Sequence, residues 1–222
     1  MQTLATTDEY LTVDFQYEAS VYIDDISVKQ SKYAIQMEAM KEMMYAIKNK
    51  IDTSIFERVV LAADTLDAGD LTGGGANGAA VTLTTTNVIE FFSTARAKLV
   101  TDNVEDNGDF VAVVTPTVAS IIEQKATGIG FNLAEAAFKN GYVGTFMGFK
   151  IYVSNNLDVT VNSRKHLYIG KKGAISCAIQ IAPTVRTDRD PLKFGEIVKV
   201  LSTWGVKVFY RNRSLFLDAQ IN

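Results

Sequence analysis

The chain holds one histidine, His166, and one cysteine, Cys177. A serine-type triad, a Cys-His pair or a zinc cluster would each need His166, and such sites draw on several residues of this kind at close spacing. His166 follows Arg164-Lys165 at the start of an expected strand, so it reads as a surface polar residue. Cys177, inside the apolar run 174–182, has no intramolecular disulfide partner and reads as a small buried side chain. Carboxylates offer the remaining candidates. Asp188 and Asp190 stand among Arg186 and Arg189, a pattern of local ion pairing. Asp102, Glu105, Asp106 and Asp109 surround Gly108, but aligning that glycine with a calcium loop puts Asn103 first and Val114 last. The bidentate glutamate is missing, and the segment reads as a solvated turn. Gly69, Gly73, Gly74, Gly75 and Gly78 lack the Lys-Ser/Thr that follows a phosphate loop and read as a flexible surface loop. Gly141, Gly144 and Gly148 have neither the spacing nor the following helix of a dinucleotide fingerprint. The sequon Asn212-Arg213-Ser214 matters only in a secreted chain. The residues imply no catalytic site, metal or cofactor. Were the chain a small-molecule α+β enzyme, Asp102 or Asp188 would have to do its acid–base work.

The 222 residues are 47% hydrophobic, enough for one large domain or two small ones. Twenty-two basic against 25 acidic residues leave a net charge of −3, which argues against tight nonspecific binding to nucleic acid as a free domain. No signal-peptide pattern opens the chain, and no apolar run approaches the roughly 18 residues of a membrane span, so a chain made in the cytoplasm with no membrane partner is expected.

The stretch Asp24 to Leu61 organises the rest. Tyr33, Met37, Met40, Met44, Ile47, Ile51 and Ile55 recur at steps of four and three, an amphipathic stripe without Gly or Pro. Asp24 and Asp25 can cap it, and Ser27 with Gln30 has capping-box spacing. As one helix it would span about 57 Å, against roughly 44 Å for a compact globule of this length. Ser54 and Glu57 repeat the capping spacing, so a break near Asp52 is the alternative. Before it, Leu11, Val13, Phe15, Tyr17, Ala19, Val21 and Ile23 alternate with mainly polar neighbours as a long one-faced strand without an upstream partner.

Further along, a short strand is expected at 81–85 and a helix capped by Asn87 and Glu90, with Val88, Phe92, Ala95 and Leu99 on one face. Phe110 to Val114 is an apolar strand, Thr115-Pro116 opens a helix to about Lys125, and Asn132 to Asn140 a shorter one. Strands follow at Phe149 to Val153 after a turn at Met147-Gly148, at His166 to Ile169, through Val185 after a possible short helix at 171–177, and at 197–201, 206–210 and 215–217. The class is α+β.

Several stretches resemble the major capsid proteins of tailed bacteriophages, the Hong Kong 97-type fold. Val21-Tyr22-Ile23-Asp24-Asp25, with Ile51-Asp52, is similar to that family's E-loop strand entering its spine helix. Phe110-Val111-Ala112-Val113-Val114-Thr115-Pro116 resembles its strand-to-helix step into the A-domain. The most specific likeness is Asn140-Gly141-Tyr142-Val143-Gly144-Thr145-Phe146-Met147-Gly148-Phe149-Lys150-Ile151-Tyr152-Val153-Ser154-Asn155-Asn156-Leu157. Ile169-Gly170, Gly173-Ala174 and Trp204-Gly205-Val206-Lys207-Val208 follow in the family's order. Each match alone is weak, but their common order from Val21 to Val208 is not.

The resemblance implies an α+β, Hong Kong 97-like capsid fold with a long spine helix, a P-domain and an A-domain, a partial E-loop and little or no N-arm. Its regions would be 1–23 as N-terminal segment and E-loop strand, 24–115 as spine helix and P-domain with 200–222 returning to it, and 116–199 as A-domain. The implied function is a structural, non-enzymatic subunit of an icosahedral virion shell around double-stranded DNA, assembled in the host cytoplasm. Its partners would be copies of itself in hexamers and pentamers, scaffolding and portal proteins, and DNA bound without sequence preference. An encapsulin-like shell around cargo proteins is the alternative within the fold. In the family the strand before the spine lies over a neighbouring subunit, so Val13, Phe15, Tyr17 and Val21 are the expected inter-subunit contacts.

Overall fold

The computed structural model describes residues 8–25, 35–128, 142–157 and 164–222. The chain divides into two compact units, one of residues 1–54 and 176–207, the other of residues 55–175 and 208–222.

In the first unit, strand β1 (Phe15–Asp24) pairs antiparallel along its whole length with β8 (Gly195–Lys207), and β8 pairs with β7 (Ser176–Arg189) in a three-stranded sheet. The partner that β1 lacks upstream is therefore β8, with Phe15 opposite Trp204 and Asp24 opposite Gly195. Helix α1 (Ile35–Phe56) buries Met43, Ile47, Ile51 and Ser54. Gln36 donates to Glu196 at 2.8 Å, while Ser54 accepts from the indole of Trp204 at 2.8 Å. Gln36 to Ser54 spans about 27 Å of helix, and Glu196 to Trp204 about 26 Å of strand, so α1 runs in the direction of β8 across one sheet face.

Asp24 ends β1 and Asp25 is already helical, so the helical geometry begins where the two aspartates were expected to cap it, but the helix stops at Phe56, short of Leu61. Helical geometry continues past Asp52 without a break, and residues 26–34 of the expected helix lie outside the described residues. In its last turns Thr53 and Ser54 bond back to the carbonyls of Asn49 and Ile51, the local competition that weakens a helix end. A single 3₁₀ turn (Val59–Leu61) follows.

The second unit is built on a six-stranded sheet in the order β2-β9-β6-β3-β5-β4. Its strands are β2 (Asp64–Leu66), β3 (Phe110–Val114), β4 (Tyr142–Phe146), β5 (Phe149–Val153), β6 (Lys165–Lys171) and β9 (Phe216–Ile221). The pairs β2 with β9 and β3 with β5 are parallel and the others antiparallel. Strand alternation sends Phe110, Ala112, Val114, Leu167, Ile169, Leu217 and Ala219 into one core with Val88, Phe91, Phe92, Ala95 and Leu99 of α2 (Val88–Thr101) and Val118 and Ile122 of α3 (Pro116–Gly128). The intervening residues of β6 and β9 serve the other face, where Tyr168 stacks on Phe216 at 5.3 Å beside Val59, Ala174 and Val208.

The α2 stripe stands as its spacing predicts, but its cap does not. Asn87 turns back to accept from Thr84 and donate to the carbonyl of Thr82, and Glu90 accepts from the amide of Thr72. That last bond, with the Asp67 carboxylate accepting from the amides of Gly69 and Gly78, ties down the glycine-rich segment expected to be a flexible loop. At the expected strand 81–85 there is only a bridge between Val81 and Ile221. The strands expected at 197–201 and 206–210 are joined in β8, because Ser202 and Trp204 between them continue its buried alternation. Strand β7 begins at Ser176, where a short helix was the other reading. The helix expected at 132–140 lies outside the described residues.

The units divide the chain at other places than the expected regions 24–115 and 116–199. Residues 88–175 lie within one unit, since β3 is hydrogen-bonded to both β5 and β6, whereas 176–199 belong to the β7–β8 hairpin of the other.

Candidate functional site

The carboxylate and histidine candidates do not converge. His166 is buried, not at the surface, because the register of β6 against β9 sets its Nδ1 at 2.7 and 2.9 Å from the two carboxylate oxygens of Asp218. A carboxylate only accepts, so with Asp218 ionised it is Nδ1–H of His166 that donates. Burial raises the Asp218 pKa above its ordinary value, and the hydrogen bond from His166 opposes that rise. Gln220 donates to Asp218 at 3.4 Å and accepts from Arg164 at 2.7 Å, which extends the cluster to an arginine. It is a structural polar cluster between two strands.

Cys177 is exposed, not buried, since the apolar run around it forms the edge strand β7. Asp188 pairs with Lys199 across the hairpin at 3.3 Å, and Arg189 with Asp25 at 3.4 Å, where pairing within 186–190 was expected. The acidic turn is held by an ion pair of Asp106 with Arg96. Among the described residues no group of three or more His, Cys, Asp or Glu side chains could hold a metal ion. No described helix is long and apolar enough to cross a membrane.

What the first unit does present is a partly covered apolar edge. Phe15 and Tyr17 flank the Trp204 indole, each with its ring centroid 5.9 Å away, Phe15 nearly parallel to it. Trp204 itself is only 1% exposed. The coverage that β1 cannot find nearby in sequence thus comes partly from β8 and α1, and Lys50 of α1 places its ammonium 5.7 Å from the Tyr17 ring centre. It is incomplete: Val13 stays 41%, Tyr17 42% and Val21 39% exposed, while Phe15 is half-buried. Gly205, next to the tryptophan, admits the preceding segment, because a Cβ there would lie 2.1 Å from the Thr12 carbonyl oxygen. In the sequence Trp204 stands out only within the stretch Trp204-Gly205-Val206-Lys207-Val208.

The other sheet edge is β7, whose residues 177–182 are all exposed and whose ladder with β8 shifts register around Ile181. Such shifts, with Pro183, discourage unprogrammed strand pairing. β1 carries no such break in its register.

A sequence family described as "Phage capsid protein" matches residues 15–216. The chain belongs to this phage capsid protein family. Its fold is that of the Hong Kong 97-type capsids. The structure is similar to one from Mycobacterium phage Che8, with a TM-score of 0.70 and 20% identity over 98% of this chain and 76% of that one. A capsid structure of Ralstonia phage GP4 gives a TM-score of 0.65 at 14% identity, covering 96% of this chain and 74% of the other. A virus-like particle from Pyrococcus furiosus gives 0.58 at 10% identity, covering 98% and 79%. No curated protein matches the sequence. As a phage capsid protein the chain is a structural component of a virion shell, not an enzyme, which agrees with the dispersal of His166, Cys177, Asp102 and Asp188 over separate elements.

Proposed function

We propose that this capsid protein assembles with copies of itself, as hexamers and pentamers, into an icosahedral shell that encloses double-stranded DNA. Assembly would take place in the host cytoplasm with scaffolding and portal proteins as partners, and DNA would be held without sequence preference. The observation that carries the reading, beyond family membership, is the incompletely covered β1 edge. Val13, Phe15, Tyr17 and Val21 form the contact to a neighbouring copy, whose side chains remove their remaining exposed area from water at about 25 cal/mol per Å² before association costs. In the terms of the fold, the unit of α1 and the β1–β8–β7 sheet is read as the P-domain and the unit of the six-stranded sheet as the A-domain.

Electron microscopy of the purified protein tests assembly, and nuclease digestion followed by analysis of the contents separates a genome shell from one filled with cargo proteins. The contact is tested by V13S/V21S. These exposed side chains leave the Trp204 stack alone, so circular dichroism and tryptophan fluorescence should match the parent while sedimentation shows loss of assembled particles. The pair F15S/Y17S should also block assembly, but it uncovers the indole and so lowers subunit stability as well. Unimpaired assembly of V13S/V21S overturns the assignment of this edge.

A further inference from the structure

The loop between β8 and β9 holds a concavity that no part of the capsid reading uses. It has a volume of about 540 Å³ and is lined by Ala62, Ala63, Tyr210, Arg211, Arg213 and Ser214. Its wall is a 3₁₀ segment (Tyr210–Leu215), fastened by the amide of Ala63 donating to the Arg213 carbonyl at 2.9 Å. Two arginines therefore line one hollow, together with a tyrosine, a serine and two alanines.

Three observations give that hollow a preference for an anion. None of its lining residues is acidic, and neither arginine is in an ion pair among the described residues. The nearest carboxylate in sequence, Asp64, is engaged elsewhere, accepting from the amide of Thr65 at 2.9 Å and lying 3.5 Å from the Lys98 ammonium. The Arg213 guanidinium carbon stands 5.5 Å from the Tyr210 ring centre, a stacking contact that restricts the head group. Finally, the Nε of Arg213 is buried without a hydrogen-bond partner. A buried charged donor left unpaired is costly, and such a donor commonly marks a bound water or ion. These features stand out in a chain with a net charge of −3.

We infer that Arg211 and Arg213 bind a phosphate oxyanion in this hollow. The planar fork of a guanidinium matches two phosphate oxygens at once, and the Ser214 hydroxyl supplies a neutral donor. The source is either free inorganic phosphate or a phosphodiester of a nucleic-acid backbone.

The test uses the whole 222-residue chain, unassembled. Thermal unfolding is followed while sodium phosphate is titrated at constant ionic strength against sodium chloride, and the titration is repeated with R211Q, R211Q/R213Q and K193Q, a charge-removing control in the other unit. Arg211 is exposed, and its substitution leaves the Ala63–Arg213 backbone bond in place, so R211Q guards against a folding defect in the double variant. Phosphate should raise the unfolding midpoint of the parent and K193Q beyond chloride, with an apparent Kd at least tenfold weaker in R211Q/R213Q and an intermediate one in R211Q. A second arm measures fluorescence anisotropy of a short labelled duplex. Displacement of the duplex by phosphate, with the same loss in the variants, identifies the backbone as a source, and phosphate binding without duplex binding identifies the free ion. Equal effects of phosphate and chloride on the parent, or equal phosphate affinity in the parent and R211Q/R213Q, overturn the inference.

Discussion

Replacing Ser54 by alanine tests how α1 is fixed to the β1–β8–β7 sheet. The hydroxyl accepts the indole N–H of Trp204 at 2.8 Å and donates to the Ile51 carbonyl at 2.7 Å, and both residues are buried, Ser54 at 5% and Trp204 at 1% exposure. Without the oxygen, the indole N–H is enclosed with no acceptor, and the desolvation already spent on it is no longer offset. That costs about 1–3 kcal/mol. With a urea dependence of about 2 kcal/mol per molar, the unfolding midpoint falls by roughly 0.5–1.5 M. Trp204 is the only tryptophan in the chain, so its fluorescence follows this unit alone, while far-ultraviolet circular dichroism follows both. The control is W204F, which removes the donor. In that background, measured by circular dichroism, S54A should cost at least about 1 kcal/mol less, the coupling expected of residues in direct contact. A fluorescence midpoint that moves by under about 0.2 M at constant slope, or a vanishing coupling, refutes the reasoning that this bond holds helix to sheet.

Asp218 gives a pH dependence whose sign follows from burial. Its folded pKa lies above the ordinary 3.8, so the stability linked to its proton is fully present below that value and is lost as pH rises through the raised pKa. D218N keeps an oxygen to accept from His166 but cannot titrate. The unfolding temperature of the parent should therefore fall behind that of D218N as pH rises from about 4, and a gap that narrows instead would show the carboxylate to be stabilised as an anion. Gly170 of β6 lies against the β9 backbone, where a Cβ would come 2.4 Å from the Phe216 Cα and 2.6 Å from the Leu215 carbonyl oxygen. Since backbone cannot swing aside, G170A should cost about 1–3 kcal/mol in thermal or urea unfolding, and a neutral effect would mean that the two strands separate freely.

Features carried by local periodicity or turn chemistry were legible in the sequence. The α2 stripe of Val88, Phe92, Ala95 and Leu99 is fully buried, and Met147-Gly148, with φ of 51° and 89°, makes the tight turn between β4 and β5 that its position predicted. Features set by distant partners were not. β1 pairs with a strand more than 170 residues away, and nothing in its alternation names that strand, because ladder hydrogen bonds are the same for every sequence. His166 reads as a surface residue until Asp218 is beside it, and Asp188 as a local ion pair until the hairpin brings Lys199 across. Cys177 shows the converse error: an apolar run signals a strand, but only the strand order shows that this one is an edge. The same limit applied to the candidate contacts, whose alternation was visible while the Trp204 stack that shelters two of them was not.

If β1 is the contact proposed above, that stack bears on how the edge is kept partly covered in one subunit and still offered to a neighbouring copy. A wholly exposed apolar strand would invite indiscriminate pairing, and a wholly buried one would have nothing to offer a neighbour. β1 lies between these extremes. Its alternate residues Gln16, Glu18 and Ser20 keep one face polar, while Phe15 and Tyr17 lie against Trp204, and Tyr17 and Val21, with Val13 just before the strand, stay partly open. Side chains already immobilised by their own chain lose less conformational entropy on association than free ones. If β1 is the contact proposed above, the indole acts on assembly through order as well as through area. On this account W204F, which keeps an aromatic platform, should preserve particles, whereas W204A should release Phe15 and Tyr17 and weaken assembly even under conditions in which circular dichroism shows the subunit folded.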